Sequence, residues 1–137
     1  ELAVEFEIVR AYMDPPFWTT EADTLAAEFG EKVFIKWYTN RPSQMHASLE
    51  RFKTDVYNAE STFSHDGDEL VANHLRNAVV RAGNVDPVTK IRKYTIGKPE
   101  KHQKIDYAMS SVLAHEAVMD ALASGANAAP AENFVYF

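Results

Sequence analysis

Asp14 and Asp106 are the residues of this sequence best suited to chemistry together. Asp14 ends a β-prone run and stands before Pro15-Pro16. A residue preceding proline is driven to extended geometry, so this acid falls at the carboxyl end of a strand, the edge where open α/β sheets bind ligands. Asp106 opens a helical stretch whose apolar stripe is Ile105, Ala108, Met109, Val112 and Leu113. At roughly 100° per residue it lies beside Leu113, on the flank of that stripe, and is expected half-buried. Carboxylates that converge at a sheet edge suit Mg²⁺, which takes hard oxygen ligands and keeps waters and phosphate oxygens. Two such ions about 4 Å apart activate water and steady the leaving oxygen in phosphodiester hydrolysis. Both acids also have plainer uses, as an Asp-Pro turn and as a helix-start acid favoured by the dipole.

The sequence beside Asp106 suits phosphate. Six of the fourteen Lys and Arg residues (Lys90, Arg92, Lys93, Lys98, Lys101 and Lys104) fall within residues 90–104, just before it, against one acid, Glu100. That segment carries +5 and the rest of the chain −11, within a formal total of −6. Lys98 and Lys101, in a loop, can reach phosphates and position a strand without reading its bases. A charge run is equally a solvated face. His65 and His102 flank these segments as candidates to contact a phosphate or a water, and are otherwise ordinary polar surface. The histidines include no helical HxxxH pair and the chain has no cysteine, which argues against zinc. Asp66-Gly67-Asp68-Glu69 lacks the twelve-residue ligand pattern of a calcium loop. Neither a GxSxG elbow nor a GxxxxGK[ST] loop is present.

Composition sets the frame. The 137 residues, 46% hydrophobic, make one domain with enough apolar side chains for a core. An acidic total argues against a generic nucleic-acid binder and for phosphate gripped in one place. The lack of cysteine fits a reducing compartment, no apolar run approaches a membrane span, and the expected location is cytoplasmic. Glu1-Leu2-Ala3-Val4-Glu5 lacks the basic start of a signal peptide and begins almost inside a strand, as a chain cut from something longer would.

Alternation and turn residues predict the elements that must position the two acids. A strand is expected over about 6–13, followed by a helix capped by Thr19 or Thr20 and ended by Gly30. A second strand spans 32–38. A helix over 43–57 carries the stripe Met45, Leu49, Phe52 and Val56. Strand–helix–strand–helix order predicts parallel pairing and an α/β fold. Residues 62–65 form a candidate edge strand, 66–76 a capped helical segment and 83–87 a turn. A short strand at 90–95 then leads through Gly97-Lys98-Pro99 to the long helix, ended by Gly125. Residues 126–137 form a tail whose terminal aromatics dock on the body.

The residues also carry a resemblance. The run Arg10-Ala11-Tyr12-Met13-Asp14-Pro15-Pro16-Phe17-Trp18, then Gly30-Glu31-Lys32-Val33, then Arg41-Pro42-Ser43-Gln44-Met45-His46 resembles the large terminase subunits of tailed bacteriophages. The order continues through Ser64-His65-Asp66-Gly67-Asp68-Glu69-Leu70 and His74-Leu75-Arg76-Asn77-Ala78 to Gln103-Lys104-Ile105-Asp106-Tyr107-Ala108. It covers about residues 6–120 in collinear order, and its specificity lies in the ordered set. The resemblance implies a ribonuclease-H-like mixed sheet flanked by helices over 1–125. It implies a nuclease domain that cuts concatemeric double-stranded DNA during packaging with a two-ion Mg²⁺ or Mn²⁺ site. Asp14 matches the acid ending the family's fourth strand and Asp106 the acid of its K-I-D helix. Lys98, Lys101, His102, Lys104, Arg92 and Lys93 are the expected DNA contacts, and His65 a supporting residue. The implied partners are DNA, the packaging ATPase domain, the small subunit and the portal, in an infected or lysogenic bacterium. The family's N-terminal β-meander, with its first catalytic Asp, has no counterpart here. That departure leaves a strand edge through which copies could pair, and keeps open an alternative reading: a non-catalytic DNA-binding or packaging-interaction module.

Overall fold

The structure, a computed structural model, describes residues 6–16, 18–61 and 63–125. The described chain is mixed α/β and falls into two compact units. Of the described residues, one unit holds 6–16, 18–38 and 113–125, and the other 39–61 and 63–112. The expected tail at 126–137 lies outside the described residues.

In the first unit, strand β1 (Ala11–Met13) pairs in parallel with β2 (Phe34–Lys36), with Tyr12 opposite Ile35. Helix α1 (Thr19–Phe29) is the crossover between them, as strand–helix–strand order requires. Both strands are shorter than their β-prone runs, although the Ala11 N–H to Val33 carbonyl and Trp37 N–H to Met13 carbonyl bonds carry the pairing beyond them. Neither threonine caps α1. Trp18 occupies that position without a side-chain bond, and the Thr19 hydroxyl instead donates back to the Pro15 carbonyl at 3.1 Å. Gly30, at φ 107°, ends the helix; its carbonyl accepts from the Val33 and Phe34 amides and so feeds the chain into β2. Trp37 and Ala22 are buried, and Phe29 packs on Phe34 at 5.4 Å between ring centroids. Lys36 reaches back to Asp23 of α1 at 2.5 Å.

The second unit begins with α2 (Pro42–Tyr57), whose first-turn proline needs no hydrogen-bond acceptor. Met45 and Leu49 are buried as the stripe predicts, but Val56 is exposed, and Phe52 meets Phe63 edge-on at 5.4 Å. Residues 63–68 form no strand; Thr62 lies outside the described residues. They are held instead by side chains accepting from the backbone, with His65 Nδ1 taking the Gly67 amide and Asp66 the Asp68 amide. Asp68 caps α3 (Glu69–Asn77), accepting from Leu70 at 2.7 Å and Val71 at 3.1 Å.

An antiparallel hairpin follows, β3 (Val79–Val85) with β4 (Arg92–Gly97), its register broken between Ala82 and Val85. The sequence reading placed a turn at 83–87, whereas β3 runs on to Val85. Gly83-Asn84 is turn chemistry by composition, and here it sits in a bulge. A Cβ on Gly83 would come within 3.1 Å of the Lys93 carbonyl oxygen, so the missing side chain admits the neighbouring strand. Helix α4 (Asp106–Ala123) is continuous, its first seven residues belonging to the second unit and the rest to the first. Ile105, Ala108, Val112, Leu113, Ala117 and Ala121 make its buried face. The described strands therefore form two separate two-stranded sheets, one in each unit, rather than one mixed sheet. Among the described residues, no helix is long and apolar enough to cross a membrane.

Candidate active site

Asp14 follows β1 directly, at its carboxyl end, and is partly buried. Asp106 is the first residue of α4 and is exposed. The expectation of a half-buried Asp106 is thus corrected. The helix buries Ile105 and Ala108 on either side of it, and the first turn leaves the intervening acid and Tyr107 facing solvent. The two acids belong to different units.

The cationic residues divide by what they already hold. Lys98, Lys101, His102 and Lys104 are exposed in the segment between β4 and α4. The Arg81 guanidinium donates to the Lys98 carbonyl, which fixes the start of that segment and leaves the Lys98 ammonium to solvent. Arg92 is exposed, with its guanidinium donating to the Gly83 carbonyl at 3.1 Å. Lys93 differs: its ammonium pairs with Asp86 at 2.7 Å and donates to the Ser43 hydroxyl at 2.7 Å. Those bonds commit Lys93 to tying the hairpin to α2, so the structure gives it a framework role that the charge pattern did not distinguish. His65 is exposed and spends Nδ1 on its turn.

The electrostatics of the second unit centre on two carboxylates that spacing did not single out. Asp86 is held well below the usual carboxylate range, first by the Lys93 ammonium and then by the Thr89 and Val88 amides at 2.9 Å. Glu50 is lowered by the Lys53 ammonium at 2.7 Å and by the Tyr94 hydroxyl, which donates to it. Burial and then that carboxylate push the Tyr94 phenol up. The Tyr94 amide also donates to His46 Nδ1 at 3.4 Å, completing the seam between α2 and β4. In the first unit the Tyr12 hydroxyl donates to Asp120, and Tyr12 stacks on Trp37 at 6.2 Å.

Among the described residues, no group of three or more His, Asp or Glu side chains is placed to hold a metal ion. An exposed carboxylate is the kind of hard oxygen ligand that Mg²⁺ or Mn²⁺ would take. Such ions are commonly held by one or two carboxylates, with water and substrate phosphate completing the shell, and Asp106 offers solvent an oxygen donor beside an exposed cationic segment. No family model, curated protein or solved structure matches the chain.

Proposed function

We propose that this chain is the nuclease domain, or most of it, of a bacteriophage terminase large subunit, with a ribonuclease-H-like fold and metal-dependent cutting of double-stranded DNA. The observation that carries the reading is the run of exposed Lys98, Lys101, His102 and Lys104 leading directly to an exposed acid at the head of a helix. Cations there hold the backbone of a duplex without regard to sequence, while Asp106 stands within a few residues of the phosphates they bind. The ordered resemblance adds Asp14, at a strand's carboxyl end, as the second acid. In this reading each acid is a ligand for Mg²⁺ or Mn²⁺. Such ions supply an activated water and neutralise charge on the leaving oxygen; the chain's own residues hold the ions and the DNA backbone. The packaging ATPase, small subunit and portal are the partners that the resemblance brings with it.

The test is nicking of supercoiled plasmid with Mn²⁺ or Mg²⁺ by this domain joined to the upstream strands the family carries. We expect metal-dependent cutting, and a loss of at least about a hundredfold in Asp106→Asn, in line with removal of a group that stabilises developing charge. Full activity in that variant takes Asp106 out of the mechanism. DNA binding without cutting under any divalent ion replaces the nuclease with the interaction module.

A further inference from the structure

We infer that His74 and Asn77 are positioning residues that fix the backbone on both sides of Asp106. They stand three apart near the end of α3, a spacing that places both side chains on one face of the helix. The Asn77 side-chain amide donates to the Lys104 carbonyl at 3.0 Å, and its oxygen accepts from the Gln103 side chain at 3.4 Å. His74, only 8% exposed, accepts the Tyr107 amide N–H on Nδ1 at 3.1 Å, with its ring 4.9 Å from the Tyr107 ring.

The Tyr107 amide is one of the first four N–H groups of α4, which have no acceptor within the helix. The imidazole supplies that acceptor and carries its own proton on Nε2. One helix face therefore grips the chain two residues before Asp106 and one residue after it. The exposed carboxylate is aimed through its backbone, without a bond to His74 or Asn77 being needed. The consequence for metal binding rests on the nuclease reading, whereas the grip itself does not.

The test compares the 137-residue chain with His74→Phe, which keeps a ring but loses the acceptor. His74→Asn places an oxygen where Nδ1 stood, and Asn77→Ala releases the Lys104 carbonyl. Hydrogen exchange at the Tyr107 amide should quicken at least about fivefold in His74→Phe, the worth of one net hydrogen bond, and recover in His74→Asn. Backbone signals over 104–107 should shift in Asn77→Ala. With MnCl₂ as the probe, paramagnetic broadening at Asp106 should require about tenfold more metal in His74→Phe and Asn77→Ala, as when a supporting contact is lost from a metal site, and His74→Asn should restore it. Unchanged exchange in His74→Phe with unchanged signals in Asn77→Ala overturns the grip. Equal metal response in all forms despite altered exchange overturns the positioning role. No response to Mn²⁺ in any form, with exchange following the substitutions, removes the nuclease reading and leaves the grip standing. If His74→Phe does not fold, His74→Leu, which also lacks the acceptor, takes its place beside Asn77→Ala.

Discussion

Tyr12 joins a strand to a helix through one hydroxyl. Burial, and then the Asp120 carboxylate that accepts its hydrogen bond, pushes its pKa up to about 12. The folded state therefore favours the neutral phenol. The stabilisation is complete below the ordinary tyrosine value near 10 and is lost as pH rises through about 12. In an ultraviolet titration Tyr12 and Tyr94 should both ionise late among the six tyrosines, and the step near 12 should vanish in Tyr12→Phe while the Tyr94 delay remains. The same substitution should lower stability by about 1–2 kcal/mol, measured by urea unfolding, because Asp120 loses its donor. A profile with no such step would place the Tyr12 phenol in water. Sequence reasoning assigned Tyr12 only to a strand and missed its bond to Asp120, since no local pattern joins residues 108 positions apart.

The hairpin β3–β4 depends on Asp86. Its carboxylate accepts from Val88 and Thr89 and pairs with Lys93, while its own amide and carbonyl bond to Ile91 and Lys90 across the loop. Because the folded acid lies below its unfolded value of 3.8, its contribution is present above that pH and falls away as the solution is acidified. Amide exchange at Lys90 should therefore be independent of this group above about pH 4 and quicken below it, after correction for intrinsic rates. Asp86→Asn keeps the two amide bonds and loses the ion pair, so it should open the loop less than Asp86→Ala. Equal opening would assign the loop's order to the ion pair alone. Elements with a local signal were legible in the sequence: the α1 crossover with parallel pairing, a capped helix within 66–76, which starts only at Glu69, and the start of α4 all followed from turn residues and apolar spacing. The hairpin was only half legible. Its bulge carries Gly83-Asn84, and the close approach to Lys93 that requires that glycine is a tertiary fact. The site was legible to a similar extent. Charge counting found the cations but did not separate Lys93, held by Asp86, from Lys98 and Lys101, left in solvent. The spacing of His74 and Asn77 was visible, but what faced them was not.

Across the whole molecule, an acidic chain that binds a polyanion must do so through its local cations. If Arg92, Lys98, Lys101 and Lys104 each neutralise one phosphate, the logarithm of the DNA association constant should fall against the logarithm of salt with a slope of about −3 to −4. Replacing the three lysines by alanine should bring that slope close to −1, read by fluorescence anisotropy on a short duplex. An unchanged slope would move the DNA to another face. The central claim reaches further than DNA binding, because it assigns a divalent ion to Asp106. Crystals soaked in MnCl₂ test it most directly, through the anomalous signal of the metal. A peak is predicted within bonding distance of an Asp106 carboxylate oxygen, absent in Asp106→Asn; metal bound elsewhere with none at Asp106 would contradict the claim.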